Sequence, residues 1–209
     1  MESVITAQNW SAGPNSSVLA NIHESKINIA IFKREINALQ EELDKVIKRG
    51  IALSITGDAN AVSNSLDGSK DLTHCPLLKQ DIKDLLHLFS EVSQSRTFRL
   101  FLATIENDMC RKFHTDVNDL RMLCTYKGPG TLWLAEGHMD HEEVGNGDEE
   151  TFIHPDRIRQ AETGDVVILK GAIYPREGTQ AILHRSPSIE ESKEKRILLR
   201  FDTEQFASF

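Results

Sequence analysis

The sequence predicts an α+β protein in which two amphipathic helices precede a roll of short strands, arranged as a sandwich, barrel or jelly roll. Three observations lead there. Apolar residues recur with helical period in two segments before Ser95 and nowhere after it. From Phe98 onward about eight β-type runs follow one another, separated by turn residues. The composition, 39% hydrophobic and 27% charged over 209 residues, supports a packed core.

Taken in order, residues 1–25 are rich in Ser, Asn, Ala and Gly, with Gly13, Pro14, Asn15, Ser16 and Ser17 as a breaker cluster. A poorly ordered start is expected there, followed by one domain over 26–209. Its first part, 26–95, is mixed and helical, and its second, 96–209, is the β core. Ile27 to Phe32 reads as a short strand. From Glu35 to Arg49, Ile36, Leu39, Leu43, Val46 and Ile47 share one helical face, and Lys48, Arg49 and Gly50 supply a basic last turn and a stop. Ile51 to Ile55 suits another strand, and the polar, glycine-punctuated stretch from Thr56 to Thr73 reads as loop. A second helix spans Pro76 to Ser93, with Pro at an early position and Leu77, Ile82, Leu85, Leu86, Phe89 and Val92 as its apolar set. The two helices are expected to cover one outer face of the roll.

The β runs are Phe98–Ile105, Met109–Asp116, Arg121–Tyr126, Thr131–Leu134, a weak run at 157–161, Val166–Leu169, Gln180–His184 and Arg196–Phe201. The segments at 106–108, 127–130 and 162–165 punctuate them.

A net charge of −8 disfavours nucleic acid or an anionic membrane as partner, because both reward a basic face. No stretch is long and apolar enough to span a bilayer, and the start carries no signal-peptide pattern. The 3 cysteines, Cys75, Cys110 and Cys124, lack CxxC spacing and read as reduced thiols of a cytoplasmic protein. Phosphate-loop, dinucleotide and nucleophile-elbow signatures are absent.

The chemistry-bearing stretch is Cys110 to Asp116. A histidine and a carboxylate two apart on a strand point the same way, and one more imidazole completes a two-histidine, one-carboxylate face suited to non-haem Fe(II). His-x-Asp occurs three times, at His114/Asp116, His138/Asp140 and His154/Asp156, and composition predicts roughly one by chance. His138 and Asp140 sit in the acidic, glycine-bearing stretch Glu136 to Glu150, which reads as a solvated loop able to serve as a lid. His154 precedes a proline, which interrupts strand pairing. Only His114 and Asp116 end a run of strand character. The expected third ligand is His184, at the end of another strand-like run, with 67 residues between it and Asp116. Cys110 shares strand parity with His114 and reads as a buried structural thiol. Tyr126 and Trp133 flank a Gly-Pro-Gly turn, where core or hairpin packing is the preferred reading over a pocket wall.

A strand ending in His-x-Asp, then Gly164 to Leu169 as a strand, then a late strand with His184 resembles the Fe(II)/2-oxoglutarate-dependent oxygenases. That resemblance implies a double-stranded β-helix, a jelly-roll barrel with ligands on its second and seventh core strands. It implies His114, Asp116 and His184 as the Fe(II) ligands and 2-oxoglutarate as co-substrate, decarboxylated to succinate as a nearby C–H bond is oxidised. It also implies a basic residue one strand further on. Arg196 and Arg200 share a face there with Leu198, and an arginine fork suits a carboxylate, with Arg196 preferred. Tyr126 is a further candidate to contact the co-substrate. Over nearly the whole chain, Cys-x-x-Phe-His-x-Asp at 110–116, the 125–133 block with Gly128, Pro129 and Gly130, Gly164-Asp165-Val166 with Lys170-Gly171, and His184 to Pro187 together resemble the bacterial domain-of-unknown-function family 1826.

Two other readings use the same residues. One is a non-enzymatic protein holding Zn(II) or iron, with His138, His141 and His154 as an accessory cluster. The other is a cupin-like metalloenzyme that does not use 2-oxoglutarate. The substrate, small molecule or protein side chain, and the oligomeric state lie beyond these residues.

Overall fold

The computed structural model of the chain describes residues 8–135, 155–175 and 177–203. α1 (Gln40–Arg49) is entered through a 3-10 turn at Asn37–Leu39 and ends at Gly50, whose φ of 76° turns the chain out of the helix. Glu41 and Glu42 near its start and Lys48 and Arg49 near its end both complement the helix dipole. The segment 56–73, expected as loop, instead contains α2 (Ala59–Gly68) and a 3-10 turn at Lys70–Leu72. The Asp58 carboxylate caps α2 by accepting from the Ala61 N–H at 2.8 Å, and Val62 and Leu66, four apart, bury its inner face. Ser63, Asn64 and Ser65 between those two residues hid a helix that packing enforces. α3 (Pro76–Ser93) matches its expected bounds and buries Leu78, Ile82, Leu85, Leu86 and Phe89; Leu77, placed on that face from sequence, is exposed.

The loosely ordered start is also corrected for the described residues. β1 (Trp10–Gly13) pairs in parallel with β2 (Ile29–Phe32), and a 3-10 helix at Ser16–His23 buries Leu19 and Ile22. Trp10 meets Trp133 edge-on with ring centroids 5.7 Å apart, so the few apolar residues of this segment are anchors. The remaining strands are β3 (Ala52–Gly57), β4 (Phe98–Ile105), β5 (Leu120–Lys127), β6 (Leu132–Leu134), β7 (Ile158–Gln160), β8 (Val166–Lys170), β9 (His184–Arg185) and β10 (Arg196–Thr203).

They form one large sheet, β1-β2-β8-β5-β10-β4-β3, and one small sheet, β7-β6-β9. The expected strand Met109–Asp116 is reduced to a single bridge. His114 and His184 exchange both backbone hydrogen bonds at 3.0 Å, which adds this segment beside β9 as a fourth member of the small sheet. From β4 to β10 the chain thus passes between the two sheets in turn, which is the winding of a double-stranded β-helix. The run expected at Gln180–His184 is likewise short. Ile182 donates to Lys170 on the large sheet, and Leu183 accepts from Leu134 on the small one, because the chain is crossing between them.

Strand alternation divides the interior in two. Phe98, Leu100, Met122, Ile168, Leu199 and Phe201 face α1 and α3, in a core that covers the outer side of the large sheet. Ile31, Ala103, Leu123, Val167, Leu169 and Leu198 face Trp133, Ala161 and Ile182 of the small sheet, in the core of the roll itself.

Candidate metal centre

His114 and His184 meet because their backbones form the bridge described above, and their rings lie 4.6 Å apart, centroid to centroid. The His114 Nδ1 lies 3.1 Å from the Lys112 carbonyl and the His184 Nδ1 lies 3.2 Å from the Ile182 carbonyl. A carbonyl only accepts, so each Nδ1 carries a proton and donates it. That fixes the tautomer and leaves each Nε2 as the ligating atom. Both Nε2 atoms point at Asp116, His184 at 3.3 Å from Oδ2 and His114 at 3.8 Å from Oδ1. One ligand atom from each of the three residues falls within 4.8 Å of the others.

The donor set fits a cation. Asp116 Oδ2 is buried and has no hydrogen-bond partner, a costly condition that a metal ion relieves. Burial pulls the His184 imidazole down to about 4 despite Asp116 beside it, so it is neutral, the form that binds metal. The other carboxylate oxygen, Oδ1, is held by the Arg121 guanidinium, which also grips Asp202; Asn118 Nδ2 lies 3.3 Å from that same Asp202. The Asp116 turn is anchored from behind. Ala172 and Ile173 donate to the Asp116 and Asn118 carbonyls, and a Cβ at Gly171 would stand 2.0 Å from the Asn118 carbonyl oxygen. Only glycine allows that approach, which accounts for Lys170-Gly171 in the sequence pattern.

The cleft beside the triad is lined by Arg121, Leu123, Thr131, Arg196, Leu198 and Arg200 among others, and holds about 50 Å³. A wider hollow of about 400 Å³ adjoins it, sharing Arg185 and Ser186.

Arg196 and Arg200 both project to the inner side of β10, as strand parity requires. Arg196 is 1% exposed, donates to Thr125 Oγ1 at 3.1 Å, and leaves its Nε unpartnered. Burial pulls its guanidinium down to about 10. Arg200 stacks over Phe101 at 5.1 Å, with its Nε 3.0 Å from Asp202 Oδ2.

Two sequence expectations are corrected. Tyr126 has the opposite parity to Arg121 and Thr125. It is buried under α3, donating to Asp81 at 2.6 Å, and takes no part in the cleft. Cys110 is exposed at the cleft mouth rather than buried, because the segment that carries it is not a strand. Trp133 faces the core of the roll, the packing role preferred for it from the sequence. The stretch 136–150, with His138 and His141, and His154 lie outside the described residues. Arg121, Thr125 and Asp202 were missed. Their signal was a charged or hydroxyl side chain at the inward parity of an otherwise apolar strand.

Fold and site together define a class: a double-stranded β-helix with a His-Asp-His cluster. Solved structures of similar fold include the dioxygenase for auxin oxidation from rice, at TM-score 0.50 and 12% identity, covering 94% of this chain and 83% of that one. The 2-oxoglutarate complex of the dioxygenase for auxin oxidation 1 from Arabidopsis thaliana matches at TM-score 0.50 and 11% identity, over 94% and 92% of the two chains. A putative oxygenase from Shewanella oneidensis matches at TM-score 0.50 and 11% identity, over 95% and 91%. No curated protein sequence matches the chain. The chain belongs to the DUF1826 family, described as proteins of unknown function, whose profile matches residues 13–202.

Proposed function

We propose that this protein is an Fe(II)- and 2-oxoglutarate-dependent oxygenase. The observation that carries the reading is Arg196, a buried guanidinium with a hydroxyl partner but no carboxylate among the described residues, opening on the cleft that holds the triad. A buried cation lacking an anionic partner is costly to keep, and a carboxylate from outside would relieve it.

In this reading the Nε2 atoms of His114 and His184 and the free oxygen of Asp116 hold the metal. Arg196, steadied by Thr125, receives the distal carboxylate of 2-oxoglutarate. Arg121 keeps one Asp116 oxygen occupied so that the other alone faces the ion. Leu123 and Leu198 form the apolar wall that excludes water. Bound iron would supply oxidative decarboxylation of the co-substrate coupled to oxidation of a C–H bond.

The test is anaerobic titration of apo protein with Fe(II) and 2-oxoglutarate. A visible charge-transfer band is expected in the wild type and none in His114→Ala. Arg196→Ala should weaken 2-oxoglutarate binding about 10- to 100-fold, the equivalent of roughly 1.5–3 kcal/mol for a hydrogen-bonded charge. A native metal content of zinc with no 2-oxoglutarate turnover would instead favour a metal-holding role. Co-substrate-independent activity unchanged in Arg196→Ala would favour a cupin-like enzyme.

A further inference from the structure

The cleft is over-supplied with guanidinium groups. A chelating diacid held at one end by the triad has a single distal carboxylate, and so occupies one arginine. Arg196 and Arg200 both open on the cleft, four residues apart on the same face of β10. At about 3.4 Å per residue their Cα atoms stand ~14 Å apart, with Leu198 between them.

Arg200 is not satisfied by its surroundings. Its one ion pair among the described residues is with Asp202, which is shared with Arg121 on the other oxygen. Its Nε is buried without a well-aligned acceptor, and its two terminal nitrogens have no protein acceptor among the described residues. Phe101 beneath the fork fixes its plane. Charge leads the same way. Among the described residues, Arg121, Arg196 and Arg200 face Asp116 and Asp202, one positive charge in excess, in a protein whose net charge is −8. A divalent ion and a dianionic co-substrate cancel each other and leave that excess in place.

We infer that the substrate is an anion, bearing a carboxylate or a phosphate that docks on the Arg200 fork, with an apolar body against Phe101 and Leu198. This rests on the oxygenase reading, which assigns Arg196 to the co-substrate. Arginine suits the task because its planar fork meets either oxyanion with two parallel hydrogen bonds.

The experiment is calorimetric titration of the Fe(II)- and 2-oxoglutarate-loaded protein under argon with 3-phenylpropionate, phenyl phosphate and the neutral 3-phenylpropanol. At least one anionic probe should bind about tenfold or more tightly than the alcohol, and the stronger of the two identifies the oxyanion. Arg200→Gln should abolish that preference and Arg200→Lys should keep part of it, with 2-oxoglutarate affinity held in both variants. A preference that persists in Arg200→Gln, that never exists in the wild type, or that vanishes on adding excess 2-oxoglutarate overturns the inference while leaving the oxygenase reading intact. Failure of the wild type to bind 2-oxoglutarate overturns the reading, and the inference with it.

Discussion

Asp116 is drawn from two sides, with Arg121 holding Oδ1, His184 facing Oδ2 at 3.3 Å and His114 standing 3.8 Å from Oδ1. Partners of a ligating carboxylate typically change metal affinity 10- to 100-fold when removed. Arg121→Gln should therefore weaken Fe(II) or Mn(II) binding by about that factor in a competition titration, and Arg121→Lys should recover part of it. The same loss in both variants would reduce Arg121 to a residue needed only for folding. The thiols separate just as sharply. Cys110 is exposed, Cys75 is buried, and burial pushes the Cys124 thiol up to about 11. A thiol reagent at pH 8 should label Cys110 alone in the native protein, and all three only after unfolding, as read by mass spectrometry. Rapid native labelling of Cys124 would contradict its burial.

At the scale of elements, amphipathic period was legible wherever the polar face was charged, as in α1, and illegible in α2, whose polar face is Ser, Asn and Asp. Such residues favour turns when nothing packs on them, so only the buried Val62 and Leu66 mark the helix. Leu66→Ala should cost about 2–5 kcal/mol in urea unfolding, whereas a leucine in a solvated loop would cost close to nothing. The segment Met109–Asp116 failed in the other direction. With Arg111 and Lys112 in its middle it lacks an apolar face to bury, and it keeps only the bridge at His114. That bridge suffices for the site, because pairing His114 with His184 is what brings the two rings together.

For the whole molecule, one ion pair ties distant parts of the chain across the helix-covered core. Arg34 binds Asp81 of α3 through both terminal nitrogens, donates to the Gly164 carbonyl at 3.0 Å, and lies 3.5 Å from Cys124 on β5; Tyr126 donates to the same carboxylate. Asp81→Ala leaves that guanidinium without its carboxylate, and should destabilise the fold by roughly 3 kcal/mol in urea unfolding while the metal dissociation constant stays put. A shifted metal affinity would show that the helix layer acts on the site through the sheet. The arrangement also explains Tyr126. One residue of parity separates the cleft from this clamp, so a residue chosen from the sequence for its place beside a turn went to the opposite side of the sheet.

Sequence by itself determined the amphipathic helices α1 and α3, the long strands β4, β5, β8 and β10, and the facing of Arg196 and Arg200, because these follow from local periods of 3.6 and 2. It also proposed His114, Asp116 and His184 as one set, and these three lie together in the structure, although the strand expected at Met109–Asp116 is reduced to a bridge. Only the tertiary structure decided that Arg121 and Asp202 brace the carboxylate, that Tyr126 belongs to the helix side, and that Arg200 is left with half of a shared aspartate. Those facts depend on which strands become neighbours, β5 beside β10 beside β4, and pairing between residues some eighty positions apart leaves no period in the sequence to read.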